Sequence, residues 1–197
     1  MDKPFSQACE NNKQPILEVL SRYLTEPASL LEVGSGTGQH AAFLSGMLPH
    51  IRWQPSDVMG NLAGISSWTE ETGHPNLATP ILFNVNQTDA LPQAHDHLFS
   101  ANTLHIMSWP EVETFFTLIP QLVNTAGYVF FYGPFKYNGD FTSPSNANFD
   151  LWLKERGQHQ GIRDFEAIAG LAEQADLSLV EDVRMPANNQ VLVWKKS

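Results

Sequence analysis

Ten residues, Leu30-Leu-Glu-Val-Gly-Ser-Gly-Thr-Gly-Gln39, restrict the fold of this chain more than any other segment. Ser29 to Val33 is a short buried strand that breaks at glycine. Gln39 to Leu48 follows as a helix whose Ala41, Ala42, Leu44, Ser45 and Leu48 suit packing against a sheet. Three glycines between a strand and a helix let the main chain turn sharply and approach a ligand closely. A lone glycine pattern says little, but the order strand, loop, helix gives this one weight. A tight turn with no ligand is the plainer reading of the same residues. The spacing also discriminates between cofactors: a dinucleotide fingerprint places its third glycine three residues after the second, and position 39 is Gln.

The remaining pattern alternates strands with helices. Ile16, Val19, Leu20 and Tyr23 recur at helical spacing after Pro15, so the chain is expected to open with a helix. Ile51 to Gln54 reads as a second strand ending at Pro55 and Asp57, followed by a helix through Leu62 to Glu71. Pro80 to Val85 and His97 to Ala101 are the third and fourth strands. Ser108 with Glu111 forms a capping box, and Pro110 sits in the first turn, so a helix starts there and continues through Leu122. Gly127 to Tyr132 is a fifth strand. Gly133 to Asn146, dense in Gly, Pro, Asn and Ser, reads as a surface loop. Helices follow at Asn148 to Arg156 and Asp164 to Ala175, then strands Leu177 to Val183 and Val191 to Trp194 about a turn at Pro186 to Asn189. This order predicts an α/β architecture with a mostly parallel sheet, and the closing pair predicts one antiparallel strand near the C-terminus.

Length and charge narrow the class further. A chain of 197 residues suits one domain, 1–197, with a sizeable core. The formal net charge of −10 disfavours nucleic acid and acidic membrane surfaces as partners. Cys9 is the single cysteine, so no intrachain disulfide forms, in agreement with a reducing, cytoplasmic setting. Met1 to Gln14 lacks the apolar stretch of a signal peptide, and the most apolar run, Gly127 to Phe135, is too short to span a bilayer. The histidines show no spacing that suggests a metal site.

The alternating glycines after Glu32 resemble motif I of the class I methyltransferases. That resemblance implies a Rossmann-like, seven-stranded fold with helices on both faces, and S-adenosyl-L-methionine as cofactor. In that family the acid, here Glu32, helps hold the cofactor's ammonium, and the loop, here Gly34, Ser35, Gly36 and Gly38, lies beneath it. Asp57 ends strand two, where a carboxylate accepts hydrogen bonds from ribose hydroxyls; it fits other nucleotides too, or a solvated turn. Asn84 and Val85 end strand three, where this fold meets the adenine, and Ala101 ends strand four. More closely, the chain resembles the methyltransferase-like 26 family, also catalogued as domain of unknown function 938. The resemblance covers nearly the whole chain. It rests on Asn12-Lys13, Gly38-Gln-His-Ala41, Trp53-Gln-Pro-Ser-Asp57, Tyr132-Gly-Pro134, Phe149-Asp150, Gly161-Ile-Arg-Asp164 and Pro186-Ala-Asn-Asn189. Asn11 and Asn84 depart from the pattern, standing where an arginine and an aspartate are expected. The family brings no established substrate.

Methyl transfer from a sulfonium is an in-line displacement, which needs an aligned nucleophile and a base where that nucleophile carries a proton. The carboxyl end of strand four reads Asn102-Thr-Leu-His105. Asn102 can orient a substrate, and His105 can serve as base near neutral pH or simply tie the loop to the next helix. Tyr132, Asn146, Arg163, Asn188 and Asn189 form a substrate-side set. Arg163 is read as a carboxylate or phosphate clamp or as a partner of Asp150 or Asp164, and the two asparagines as possible plain turn residues. Residues 1–25 and 133–147 are expected to cover the site as helix and loop. The resulting expectation is a methyltransferase acting on a small molecule or an unidentified protein group. The alternatives are an inactive cofactor-binding protein that acts through a partner, and a nicotinamide-dependent oxidoreductase, which needs the fingerprint missed at Gln39.

Overall fold

The computed structural model describes residues 3–87 and 91–197. Its centre is β1 (Ala28–Val33), the strand before the glycines, with β2 (Ile51–Asp57) on one side and β4 (His97–Ala101) on the other, both parallel to it. β3 (Ile81–Leu82) extends the sheet past β2, and β5 (Tyr128–Gly133) extends it past β4, again in parallel. The chain then returns through β9 (Leu177–Met185) to β10 (Asn189–Lys196), which inserts antiparallel between β5 and β9. The seven-stranded order is β3-β2-β1-β4-β5-β10-β9. One strand, β10, thus runs against the rest, as the closing pair of strands predicts.

Both faces of the sheet are covered, and the strand residues alternate accordingly. Leu30, Phe99 and Phe130 join a core with α1 (Gln7–Leu20) and α2 (Gln39–Met47). Their chain neighbours Leu31, Leu98 and Phe131 join a second core with α4 (Trp109–Leu122) and α6 (Phe165–Gln174). The period of two in strand side chains is what divides these apolar pairs between opposite faces. α3 (Met59–Thr72) packs beside α2 at the β2 edge. The Ser108–Glu111 capping box forms as expected, and α4 runs through Pro120 without ending there.

Several boundaries differ from the sequence reading. α1 begins eight residues earlier than Pro15 suggests, capped by Ser6, whose hydroxyl accepts from the Cys9 N–H at 3.4 Å. Pro15 lies inside the helix. Its ring already has a helical φ, and the carbonyl left without a donor is that of exposed Asn11, where water can serve it. The third strand shrinks to two residues because β3 is an edge with only Ser56 and Asp57 as register partners. Beyond it, Asn84 folds back in a turn, its Oδ1 accepting from the Asn86 N–H at 3.0 Å.

The expected surface loop at Gly133 to Asn146 is the largest correction. β6 (Phe135–Tyr137) pairs with β7 (Asp140–Phe141) and with β8 (Arg163–Asp164) in a small second sheet, and α5 (Pro144–Arg156) starts within the same stretch. Gly133, Pro134 and Phe135 are buried. Turn-forming composition marks the Asn138-Gly139 bend of this hairpin, where both residues have positive φ, and hides the short strands around it.

Candidate functional site

The parallel strands end together, and their carboxyl ends form the floor of a cavity of about 850 Å³. That volume lies within the range of small-molecule sites. Its rim comes from α1, from the first two turns of α5 and beyond, and from the Pro186–Asn188 turn between β9 and β10. The glycine loop lies on the β1 side, and the Pro186 turn lies across β5 from it.

The three glycines have different reasons to lack a side chain. All have positive φ. A Cβ at Gly34 would stand 2.7 Å from Thr103 Oγ1, and one at Gly38 would stand 2.9 Å from the Ile65 main chain. A Cβ at Gly36 would meet nothing within 4 Å, because it would point into open space at the cavity. Gly34 and Gly38 therefore serve packing, and Gly38 lies below the lining. Gly36 leaves room for a ligand. Its N–H donates to Asp57 Oδ2 at 2.7 Å, while Asp57 Oδ1 accepts from the Val58 N–H and from Asn61 Nδ2. The carboxylate is thereby fixed at the tip of β2, facing the cavity with lone pairs to spare.

Glu32 takes a different place from the one expected. It is buried beneath the loop, outside the lining, and accepts from Trp53 Nε1 at 2.7 Å. Burial pushes its carboxyl up to about 7, against the opposing pull of Trp53 and Ser35. Asn84 and Val85 also fall outside the lining: the amide oxygen of the first closes its own turn, and the second is in the core. A two-residue β3 stops short of the cavity. Ser35 and Ala101 do line it.

At the far end of the cavity, Asn102, His105, Tyr132, Asn146, Asn188 and Asn189 converge. Asn102 holds a left-handed conformation, φ 57°, with its N–H bonded to the Tyr132 carbonyl at 2.8 Å. His105 packs edge-on against Phe149, and burial, with Arg163 nearby, pulls its imidazole down to about 4. Arg163 does not join this set. Its Nε donates to the Leu104 carbonyl at 3.0 Å, and its Nη2 to the carbonyls of Met107 and His159. A guanidinium held by three main-chain acceptors secures the His105 loop, and Arg163 lies outside the cavity lining.

A group that the sequence reading assigned no role closes the near side. His40 Nε2 lies 2.6 Å from Asn12 Oδ1, so the ring carries its proton there and leaves Nδ1 toward the Cys9 thiol at 3.9 Å. Burial pushes the Tyr132 phenol up, and the nearby Asn12 amide acts in the opposite sense. Burial pulls His40 down to about 4. Cys9 and Asn12 of α1 and His40 of α2 all border the cavity. Gln39 adds a second tie, accepting from the Ser6 N–H and donating to Glu10 at 2.7 Å. Asn12 and His40 stand in the resemblance motifs, but no spacing in one sequence couples residues on separate helices. Among the described residues, no group of three His, Cys, Asp or Glu side chains is placed to hold a metal, and no helix is long and apolar enough to cross a membrane.

This sheet order, with its cavity at the carboxyl ends, is the class I methyltransferase, Rossmann-like fold. The chain belongs to the family described as protein of unknown function DUF938, whose pattern matches residues 3–196. It is similar to an O-methyltransferase family protein from Burkholderia thailandensis, with TM-score 0.83 and 18% identity over 96% of this chain and 57% of that one. Human N-acetylserotonin methyltransferase in complex with SAM gives TM-score 0.79 at 14% identity, over 97% of this chain and 53% of that one. An O-methyltransferase family 2 protein from Planctomyces limnophilus, in complex with apigenin, gives 0.76 at 20%, over 89% and 52%. The chain spans a little over half the length of these structures, and at such identities the likeness is one of fold.

Proposed function

We propose that the chain is an S-adenosyl-L-methionine-dependent methyltransferase of the methyltransferase-like 26 group, acting on a small molecule in the cytoplasm. One observation carries the reading: the space left by the absent side chain of Gly36 opens beside the fixed carboxylate of Asp57, at the carboxyl ends of the strands. The cradle fits a nucleoside-bearing amino acid. Gly34 to Gly36 offer main chain at close approach, Asp57 suits the ribose hydroxyls, and Ser35 and Ala101 line the floor. When bound, the cofactor supplies a methyl group made electrophilic by its sulfonium. Glu32, under the loop, holds Trp53 beneath the cradle without touching the ligand.

The residues beyond β4 then do the positioning. Asn102, left free of side-chain partners among the described residues, orients the acceptor through its amide. His105 is unprotonated at neutral pH because burial disfavours its cation, so a ring nitrogen is ready to accept the acceptor's proton as the methyl transfers. α1 and α5 hold water away from that step.

A second reading, a cofactor-binding protein that acts through a partner, is favoured by one feature. Among the described residues no hydrogen bond orients the His105 ring, so nothing raises its basicity. Parent and variant assayed together separate the two. In the enzyme, His105→Gln lowers labelled-methyl transfer to cell-extract acceptors by about a hundredfold or more, while calorimetric binding of S-adenosylhomocysteine is unchanged. No transfer by the parent protein selects the second reading, while unchanged transfer by the variant keeps the enzyme and removes His105 as its base.

A further inference from the structure

The acceptor end of the cavity is built for a particular chemistry. Among the described lining residues none is Lys or Arg, and the one carboxylate, Asp57, is at the β2 side with Gly36, Val58 and Asn61 upon it. This is unexpected in a chain with 11 basic and 21 acidic residues. A charged acceptor entering here would lose hydration and gain no counter-charge. The Arg156 guanidinium lies over the Trp152 ring, 4.6 Å from its centroid, and is not part of the lining.

One wall is apolar and aromatic. Phe149 and Trp152, one turn apart on α5, stack at 5.6 Å between centroids, and Ile106 and Pro134 continue the surface. Trp152 is 47% exposed and Ile106 44% exposed, so this apolar area faces the opening and is not core. Beside this surface lie amides with one end spent. Asn146 Nδ2 donates to Thr142 Oγ1 and to the Asn188 carbonyl, both at 2.9 Å. Asn188 Nδ2 donates to Ser145 Oγ at 3.1 Å, and Asn189 Nδ2 donates to the Pro186 carbonyl at 3.2 Å. Main-chain carbonyls can only accept, which fixes the amide orientation of Asn146 and Asn189. The oxygens of these side chains remain as acceptors for donors on a ligand.

Building on the methyltransferase reading, we propose that the acceptor is an uncharged molecule with an apolar ring body that carries O–H or N–H donors. The ring body covers the Phe149–Trp152–Ile106 wall. Its donors meet the amide oxygens of Asn146, Asn188 and Asn189, with the reacting group at Asn102 and His105.

Three naphthalenes of similar size separate charge from donor content. Calorimetry on protein saturated with S-adenosylhomocysteine compares 2-naphthol with 6-hydroxy-2-naphthoate and 2-methoxynaphthalene. The naphthol is expected to bind at least about tenfold tighter than the naphthoate, whose carboxylate finds no partner. It should bind about fivefold tighter than the methoxy compound, which has no donor. Trp152→Ala, at a half-exposed position, should weaken naphthol binding about fivefold. Ile106→Lys should strengthen naphthoate binding at least about fivefold by adding the missing cation. Equal or tighter binding of the naphthoate, indifference to Trp152→Ala, or failure of all three compounds to bind overturns the inference. Binding of S-adenosylhomocysteine is read first, and its failure counts against the cofactor assignment alone. The same three titrations without cofactor then decide the acceptor class.

Discussion

Gly36 condenses the residue-scale logic, because a Cβ there would meet nothing in the protein and only its φ of 58° calls for glycine in the protein alone. Gly36→Val is expected to lower S-adenosylhomocysteine affinity more than tenfold by calorimetry, at about 1–2 kcal/mol of stability for a positive φ. Gly139→Val is the control. It has φ 81°, an exposed position and nothing near its Cβ, but lies away from the cavity, so it should keep full affinity at a similar stability cost. The two buried histidines set a pH response. Both His40 and His105 have imidazoles pulled from 6.5 to about 4, so the fold favours their neutral form. Their contribution is complete above pH 6.5 and is lost as pH falls toward 4, each worth about 3 kcal/mol. Glu32 works in the opposite sense, with its carboxyl raised to about 7, and gains stability for the fold as pH falls from 7 to 4.5. Denaturant titrations of His105→Gln and the parent chain share that Glu32 effect. The variant should therefore show the shallower stability loss between pH 6.5 and 4.

At the scale of elements, α1 does two jobs along one length. Its second half puts Ile16, Leu17 and Leu20 into the core, while its first half places Cys9 and Asn12 at the cavity. Pro15 sits at the junction. Replacing a proline inside a helix restores a main-chain donor, so Pro15→Ala should raise stability by about 1–3 kcal/mol in thermal or urea unfolding. An unchanged midpoint would mean that the Asn11 carbonyl is already served as well as a helix would serve it. α5 likewise combines roles, with Leu153 and Asp150 buried on one side and Phe149 and Trp152 on the cavity. Asp150 accepts from the Ile162 N–H at 2.7 Å and pairs with Lys154, tying α5 to the chain that precedes β8.

For the whole molecule, the antiparallel insertion of β10 between β5 and β9 is decisive. It brings the Pro186–Asn188 turn, late in the chain, beside the Asn102 and Tyr132 ends of β4 and β5. The cavity is thus closed by segments from both ends of the sequence, and a ligand there should stabilise the entire fold. S-adenosylhomocysteine at a hundred times its dissociation constant should add about 2.7 kcal/mol, a rise of about 5–10 °C in Tm for a domain of this size. NAD at the same concentration should leave Tm unchanged, because Gln39 occupies the place of the third fingerprint glycine, with its amide bonded to Glu10. A rise with NAD instead would reverse the cofactor assignment.

Local chemistry was enough to define the glycine loop, the strand–helix alternation, the Ser108 cap and the final antiparallel strand, because each depends on neighbours within a few residues. The sequence also placed Asp57, Asn102 and Tyr132 at or next to strand ends, with His105 a few residues beyond β4, and parallel strands of one sheet end together. Tertiary structure alone decided which polar groups remain free. Arg163 has the chemistry of an anion clamp until three carbonyls, two of them more than 50 residues away, take its donors. Glu32 reads as a ligand contact until the loop folds over it, and His40 as an ordinary helix residue until α1 lays Asn12 and Cys9 against it. A hydrogen bond is spent or available according to what the fold brings within about 3 Å, and no spacing along the chain encodes that distance.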